Sequence, residues 1–91
     1  MSMPEASVII PNWNGRKLLE TCLVSLRRQI LRDFEVIVVD NGSADDSVQF
    51  IQTYYREVKI IRLPTNKGFS AAVNCGIQSA TGKYIALLNN D

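Results

Sequence analysis

The chain has 91 residues, 46% hydrophobic, 21% charged and 8% aromatic, an ordinary globular composition that excludes a disordered, fibrous or disulfide-packed chain and allows one compact domain at most. Ten Lys and Arg against nine Asp and Glu leave a formal charge of +1, and the basic residues are scattered, so no nucleic-acid partner is expected. There is no histidine, which excludes His-based triads, His general bases and His-ligated zinc and leaves carboxylates, amides and backbone groups to carry any chemistry.

The start, Met1 to Ser7, lacks a basic region followed by an apolar stretch, and every apolar run falls far short of the roughly 20 residues of a membrane helix. A chain that is neither secreted nor membrane-spanning is expected. The first β-branched run, Ser7 to Ile10, predicts a strand that Pro11 stops. Leu18, Cys22, Leu26 and Ile30 then recur every fourth residue, with Leu19 and Leu23 widening the stripe, and Arg16, Lys17, Glu20, Arg27 and Arg28 mark the wet side of a helix. Phe34 to Val39 predicts a second strand. A shorter helix follows, with Val48, Ile51 and Tyr55 on one face, Ser43 as N-cap answered by Asp46, and Asp45 and Asp46 as first-turn charges. Val58 to Leu63 predicts the third strand. A helix of small residues comes next, whose narrow face of Phe69, Ala72, Val73, Gly76 and Ala80 can lie close on a sheet, and Gly82 ends it as a C-terminal glycine. Tyr84 to Leu88 predicts the fourth strand. Cys22 and Cys75 form no C-x-x-C and read as buried reduced thiols of a cytoplasmic protein.

Each predicted strand is apolar nearly throughout, as in strands covered on both faces, and strands alternate with helices. This predicts an α/β fold, a mostly parallel sheet of order 3-2-1-4 between helical layers, with a switch point between strands one and four. Ligands of such sheets bind at the carboxyl ends of the strands. There the sequence places Asn12, Trp13 and Asn14 after strand one, Asp40, Asn41 and Gly42 after strand two, Asn66 after strand three, and Asn89, Asn90 and Asp91 after strand four.

No Gly-x-Gly-x-x-Gly follows strand one, and no Gly-x-x-x-x-Gly-Lys-Ser/Thr occurs, which argues against a dinucleotide fold and a P-loop. Trp13 offers a flat face for a base, or packs on the first helix. Asp40 offers two acceptor oxygens to a pyrimidine ring N–H, or serves only as the aspartate of an Asp-Asn-Gly-Ser turn. Gly68 permits close backbone approach, and Lys67 meets a phosphate or is merely solvated. Asn89, Asn90 and Asp91 are oxygen donors of the kind Mg²⁺ or Mn²⁺ accepts.

Together, Ser7 to Asn14, Val38 to Ser43, Asn66 to Phe69 with Asn74, and Gly82 to Asp91 resemble the nucleotide-binding half of family 2 glycosyltransferases, in order and with that family's spacing. The resemblance implies a three-layer, Rossmann-like GT-A half-domain, a single subdomain over residues 1–91 of a longer protein active in cell-wall or polysaccharide biosynthesis. It implies that Pro11 and Trp13 lie against the base, flanked by Asn12 and Asn14, and that Asp40 binds uracil or thymine. Asn66 and Gly68 would form the loop beside the nucleotide, and Asn89 and Asn90 would complete its edge. Asp91 matches the last acid of the Asp-x-Asp motif that holds a divalent cation, Mg or Mn, on the donor diphosphate.

Two positions depart from the family pattern. Asn89 replaces the first acid of Asp-x-Asp, which resembles the rhamnosyltransferase-like branch, and Val73 stands where many relatives carry arginine. The implied reaction is inverting transfer from a UDP- or dTDP-sugar to the hydroxyl of a glycan or lipid-linked acceptor, in the cytoplasm or at the inner face of the membrane. The resemblance puts the catalytic base in a C-terminal half outside these residues. Two other functions stay open: a non-catalytic module self-associating through the apolar strand Tyr84 to Leu88, and a sugar nucleotidyltransferase, although Pro11 to Lys17 lacks that class's glycine-rich, arginine-containing loop.

Overall fold

The computed structural model describes residues 3–29 and 33–89. Four strands and three helices alternate: β1 (Ala6–Asn12), α1 (Arg16–Arg27), β2 (Phe34–Asn41), α2 (Ser47–Tyr54), β3 (Lys59–Leu63), α3 (Phe69–Ser79) and β4 (Tyr84–Leu87). Every strand pair is parallel, and the order is β3-β2-β1-β4, as the alternation of strand and helix predicts. No helix among the described residues is long and apolar enough to cross a membrane.

The register splits the sheet into two faces. Val8, Ile10 and Val38 pack with Leu19 and Leu23 of α1 and Phe50 and Ile51 of α2, whereas Ile9, Ile37 and Val39 pack with Ala72 of α3. Central strands buried on both faces need apolar side chains at consecutive positions, which is why β1 and β2 read as unbroken hydrophobic runs. α3 lies close because its sheet-facing residues are small. A Cβ on Gly76 would sit 2.5 Å from Ile9 Cγ2.

Several sequence expectations are corrected. β1 runs through Pro11 to Asn12. The Leu88 N–H donates to the Ile9 carbonyl, and the next ladder position on that side is Pro11, which has no N–H; the proline ends pairing with β4 instead of ending the strand. On α1 the buried stripe is Leu19 and Leu23, while Leu18 is 49% exposed, and Ile30 lies outside the described residues. Arg16 and Arg27 are not simply solvated: their guanidinium carbons lie 4.4 Å and 4.1 Å from the ring centroids of Phe50 and Tyr55, clamping α1 to the α2 region. Phe50, not counted on the apolar face of α2, is buried, and Phe69 of α3 is exposed. The cysteines are free but only half-buried.

Gly82 does not terminate α3. The helix stops at Ser79 with Ala80 extended, and Gly82 instead lets the chain pass β1, where a Cβ would meet the Ala6 carbonyl carbon at 2.5 Å. β4 is apolar yet exposed at all four positions, so its sequence does not reflect cover on both faces in this chain.

Candidate functional site

Parallel strands deliver their carboxyl-terminal loops to one sheet edge, and the register fixes which side chains share a face. Asn12, Asp40 and Arg62 stand opposite one another on β1, β2 and β3, on the side of α1 and α2. Asn41, one position on, projects to the side of α3. The two strand-end residues of β2 therefore organise two different loops.

On the first side Asp40 is 3% exposed and Asn12 is 1% exposed. Asp40 Oδ1 accepts the Asn12 side-chain amide at 3.1 Å, and Oδ2 accepts the Ser43 backbone N–H at 3.0 Å. This is the turn-stabilising role of an Asp-Asn-Gly-Ser sequence. Two bonds leave acceptor capacity on a carboxylate with about four lone-pair sites, and the group borders a cavity of about 290 Å³ lined by Asp40, Gly42, Ser43, Arg62, Leu63 and Pro64. The cavity opens over β2 and β3 and not at the β1–β4 switch point.

Asn14 ties the loop after β1 to the loop after β2. It adopts φ of 50°, a conformation asparagine tolerates better than most residues. Its backbone N–H donates to Ser43 Oγ at 2.9 Å, and its Oδ1 accepts the N–H groups of Ala44 and Asp45 at 2.7 and 3.3 Å. Ser43 is thus the junction of the two loops and not the N-cap of α2, whose N-cap is Asp46. Asp45 performs the capping, accepting the Ser47 backbone N–H at 3.0 Å and the Ser47 hydroxyl, so neither aspartate is a first-turn charge. Burial alone would push the Asp45 carboxyl up, but the bonds from Ser47 and Arg16 outweigh it and hold it below the usual range. Trp13, between these anchors, is 56% exposed and belongs to neither core cluster.

On the second side Asn41 is buried and clamps the loop after β3. Its Oδ1 accepts the Lys67 N–H at 2.8 Å and its Nδ2 donates to the Gly68 carbonyl at 3.1 Å. Asn66 is exposed and turns its Oδ1 back to the Gly68 N–H at 2.8 Å. Gly68, at φ of 94°, occupies the N-cap of α3. Gly42 has φ of 75°, and a Cβ there would meet the Thr65 backbone at 2.7 Å, so the loops after β2 and β3 touch only because position 42 has no side chain.

The sequence reading named Asp40 and Asn66 as site residues, placed Asn41 at the same edge and Ser43 as a helix cap without a site role, and missed Arg62. Asn41 and Ser43 lie inside the tetrapeptide already singled out. Arg62 was discoverable only through the strand register. Pro11 is buried at the end of β1, and Asn89, exposed, follows β4. Asn90 and Asp91 lie outside the described residues. Among the described residues no group of three or more His, Cys, Asp or Glu could hold a metal, so these residues do not make a metal centre by themselves.

At the opposite sheet edge Glu35 accepts Lys59 Nζ at 2.6 Å, the Thr81 N–H at 2.7 Å and the Ser7 hydroxyl, while Ser7 Oγ accepts the Gly82 N–H at 2.8 Å. Burial would raise its carboxyl, but these bonds outweigh burial and hold it at about 2. This network anchors the turn into β4 far from the loops just described. Half-burial pushes the Cys22 thiol up, which makes it a poor nucleophile.

The family described as Glycosyl transferase family 2 matches residues 7–91. An uncharacterized glycosyltransferase of Haemophilus influenzae is 36% identical over 94 residues, covering 100% of this chain and 38% of that protein. Among solved structures, S. aureus TarS 1-349 in complex with UDP-GlcNAc superposes with a TM-score of 0.88 at 32% identity, over 96% of this chain and 26% of that one. The mannosyltransferase PcManGT from Pyrobaculum calidifontis, in complex with GDP-Man and Mn²⁺, shares the fold with a TM-score of 0.81 at 24% identity, over 100% of this chain and 28% of that one. The chain spans well under half the length of these proteins.

Proposed function

Because the chain belongs to glycosyl transferase family 2, we propose that it forms the donor-binding part of an inverting enzyme that moves a sugar from a UDP- or dTDP-linked donor to an acceptor hydroxyl. One observation carries the reading: a buried carboxylate, Asp40, held by Asn12 and Ser43 with acceptor capacity to spare, beside a cavity at the carboxyl edge of a parallel sheet. A ring N–H of uracil or thymine supplies the donor that carboxylate lacks. TarS, similar over nearly the whole chain, is solved with UDP-GlcNAc.

In this reading Trp13 and Pro11 form a floor for the base, and Asn12 and Asn14 keep that floor fixed relative to Asp40. Asn41 fixes the 66–68 loop beside the nucleotide. Orientation of this kind lowers the barrier by holding the anomeric carbon where an acceptor hydroxyl can reach it. The catalytic base that takes the hydroxyl proton lies outside these residues, as does the acceptor site for a glycan or lipid-linked substrate. Asp91 is assigned as the chain's carboxylate ligand to Mg²⁺ or Mn²⁺, which neutralises a diphosphate leaving group when bound. Asn89 in place of the first acid of Asp-x-Asp supports a reading of the chain within the rhamnosyltransferase-like branch. The exposed edge of β4 supports self-association of the chain.

Calorimetric titration with UDP, dTDP and ADP, each with Mn²⁺, tests the reading. Binding of UDP or dTDP well above ADP, lost in Asp40→Asn, is expected; equal binding of all three would overturn it.

A further inference from the structure

We infer that Arg62 is a second base-reading residue, paired with Asp40 to recognise the imide edge of the nucleotide base. The inference rests on the assignment of the Asp40 cavity to a nucleoside diphosphate and names the group that completes its selectivity. Arg62 stands directly opposite Asp40 in the β2–β3 register. Strand neighbours lie about 4.8 Å apart, and both residues line the same cavity. Arg62 is exposed, and among the described residues its side chain makes no hydrogen bond or ion pair with Asp40 or any other group. Asp40 spends its bonds on Asn12 and Ser43 instead. The cavity wall therefore presents a fixed acceptor beside an uncommitted donor.

That order matches one kind of base edge. Uracil and thymine present N3–H beside the O4 carbonyl, so a carboxylate takes the N–H while a guanidinium donates to the oxygen. Guanine presents the same pair as N1–H and O6. Cytosine inverts both partners: its N3 is a lone pair facing the carboxylate, and its amino group faces the guanidinium. Each inversion leaves a polar group unpaired, the costliest outcome of a polar contact. Asp40 alone discriminates at one atom; with Arg62 the site discriminates at two.

The test is calorimetric titration of the protein and of its Arg62→Ala and Arg62→Gln variants with UDP, CDP and inorganic pyrophosphate. Arg62 is exposed on an edge strand, so both variants keep the fold. Loss of one charge-assisted hydrogen bond is expected to weaken UDP about tenfold in Arg62→Ala. CDP is expected to hold or improve, so the preference for UDP over CDP narrows by at least that factor, and Arg62→Gln, which keeps an N–H donor, is expected to recover part of it. Equal weakening of UDP, CDP and pyrophosphate would show that Arg62 meets the phosphates and would overturn the inference. Unchanged UDP affinity would also overturn it. Loss of UDP in Asp40→Asn alongside an unaffected Arg62→Ala would leave the nucleotide reading standing and this one refuted, whereas no UDP binding to the unsubstituted protein would remove both.

Discussion

The side-chain amide of Asn12 donates to Asp40 Oδ1 at 3.1 Å, and both residues are almost wholly buried at the ends of neighbouring parallel strands. The bond joins the ends of β1 and β2 beside the candidate site, so the orientation of the Asp40 carboxylate depends on a residue of the preceding strand.

Replacing Asn12 by Ala leaves Asp40 Oδ1 without that donor inside the protein. Thermal and urea unfolding are expected to show a loss of about 1–3 kcal/mol, the cost of an unsatisfied buried polar group. UDP affinity is expected to fall as well, because the carboxylate is no longer oriented. Asn12→Asp, which sets two carboxylates side by side, is expected to be worse on both measures.

Two glycines separate fold from site. In Gly76→Ala the new methyl meets Ile9 Cγ2 of β1 at 2.5 Å, an overpacked contact costing about 1–3 kcal/mol, with UDP affinity of the folded fraction unchanged. In Gly42→Ala the methyl meets the Thr65 backbone at 2.7 Å at a residue with φ of 75°. That clash lies between two site loops, so nucleotide affinity is expected to fall by a larger factor than in Gly76→Ala. Paired unfolding and titration curves check the contrast.

Glu35 makes stability depend on pH. Its folded carboxyl sits at about 2, below the ordinary value of 4.5, so its stabilisation is complete above pH 4.5 and is lost as pH falls through about 2. Unfolding free energy is expected to drop by roughly 2 kcal/mol across that window from this group. Glu35→Gln is expected to be less stable at pH 7 and flatter in acid. A variant that retains the full acid slope would contradict the assignment.

Among the described residues β4 is the outer strand beside β1, with Tyr84, Ile85 and Leu87 at 66%, 45% and 48% exposure, and its far edge has no strand partner. Light scattering across micromolar concentrations is expected to show a mass above that of one chain, and Ile85→Lys to return it toward one. A single-chain mass throughout would contradict self-association through this edge.

Much of this architecture is readable from residue order. Apolar runs separated by helical periods give the strands, their parallel pairing and the order 3-2-1-4, and the polar residues after each run give the carboxyl edge. What stays hidden depends on register and contact. Arg62 looks like one more surface cation until it is seen opposite Asp40. Pro11 looks like a strand stop until its missing N–H falls where β4 parts from β1. Ser43 looks like a helix cap because serine before a helix usually is one, yet its hydroxyl is taken by Asn14 and Asn12. Gly82 resembles a helix terminator by position, but the space it leaves is needed by β1. In each case a local preference yields to a partner distant in sequence.

In the proposed site Trp13 and Asp40 face one pyrimidine nucleoside diphosphate. Trp13 is the sole tryptophan and is exposed, so its emission reports directly on a base stacked against it. Titration with UDP and Mn²⁺ is predicted to give a saturable change in that emission, abolished in Asp40→Asn with the fold intact. A saturable change that survives Asp40→Asn undiminished, or no change in the folded protein, would contradict the account.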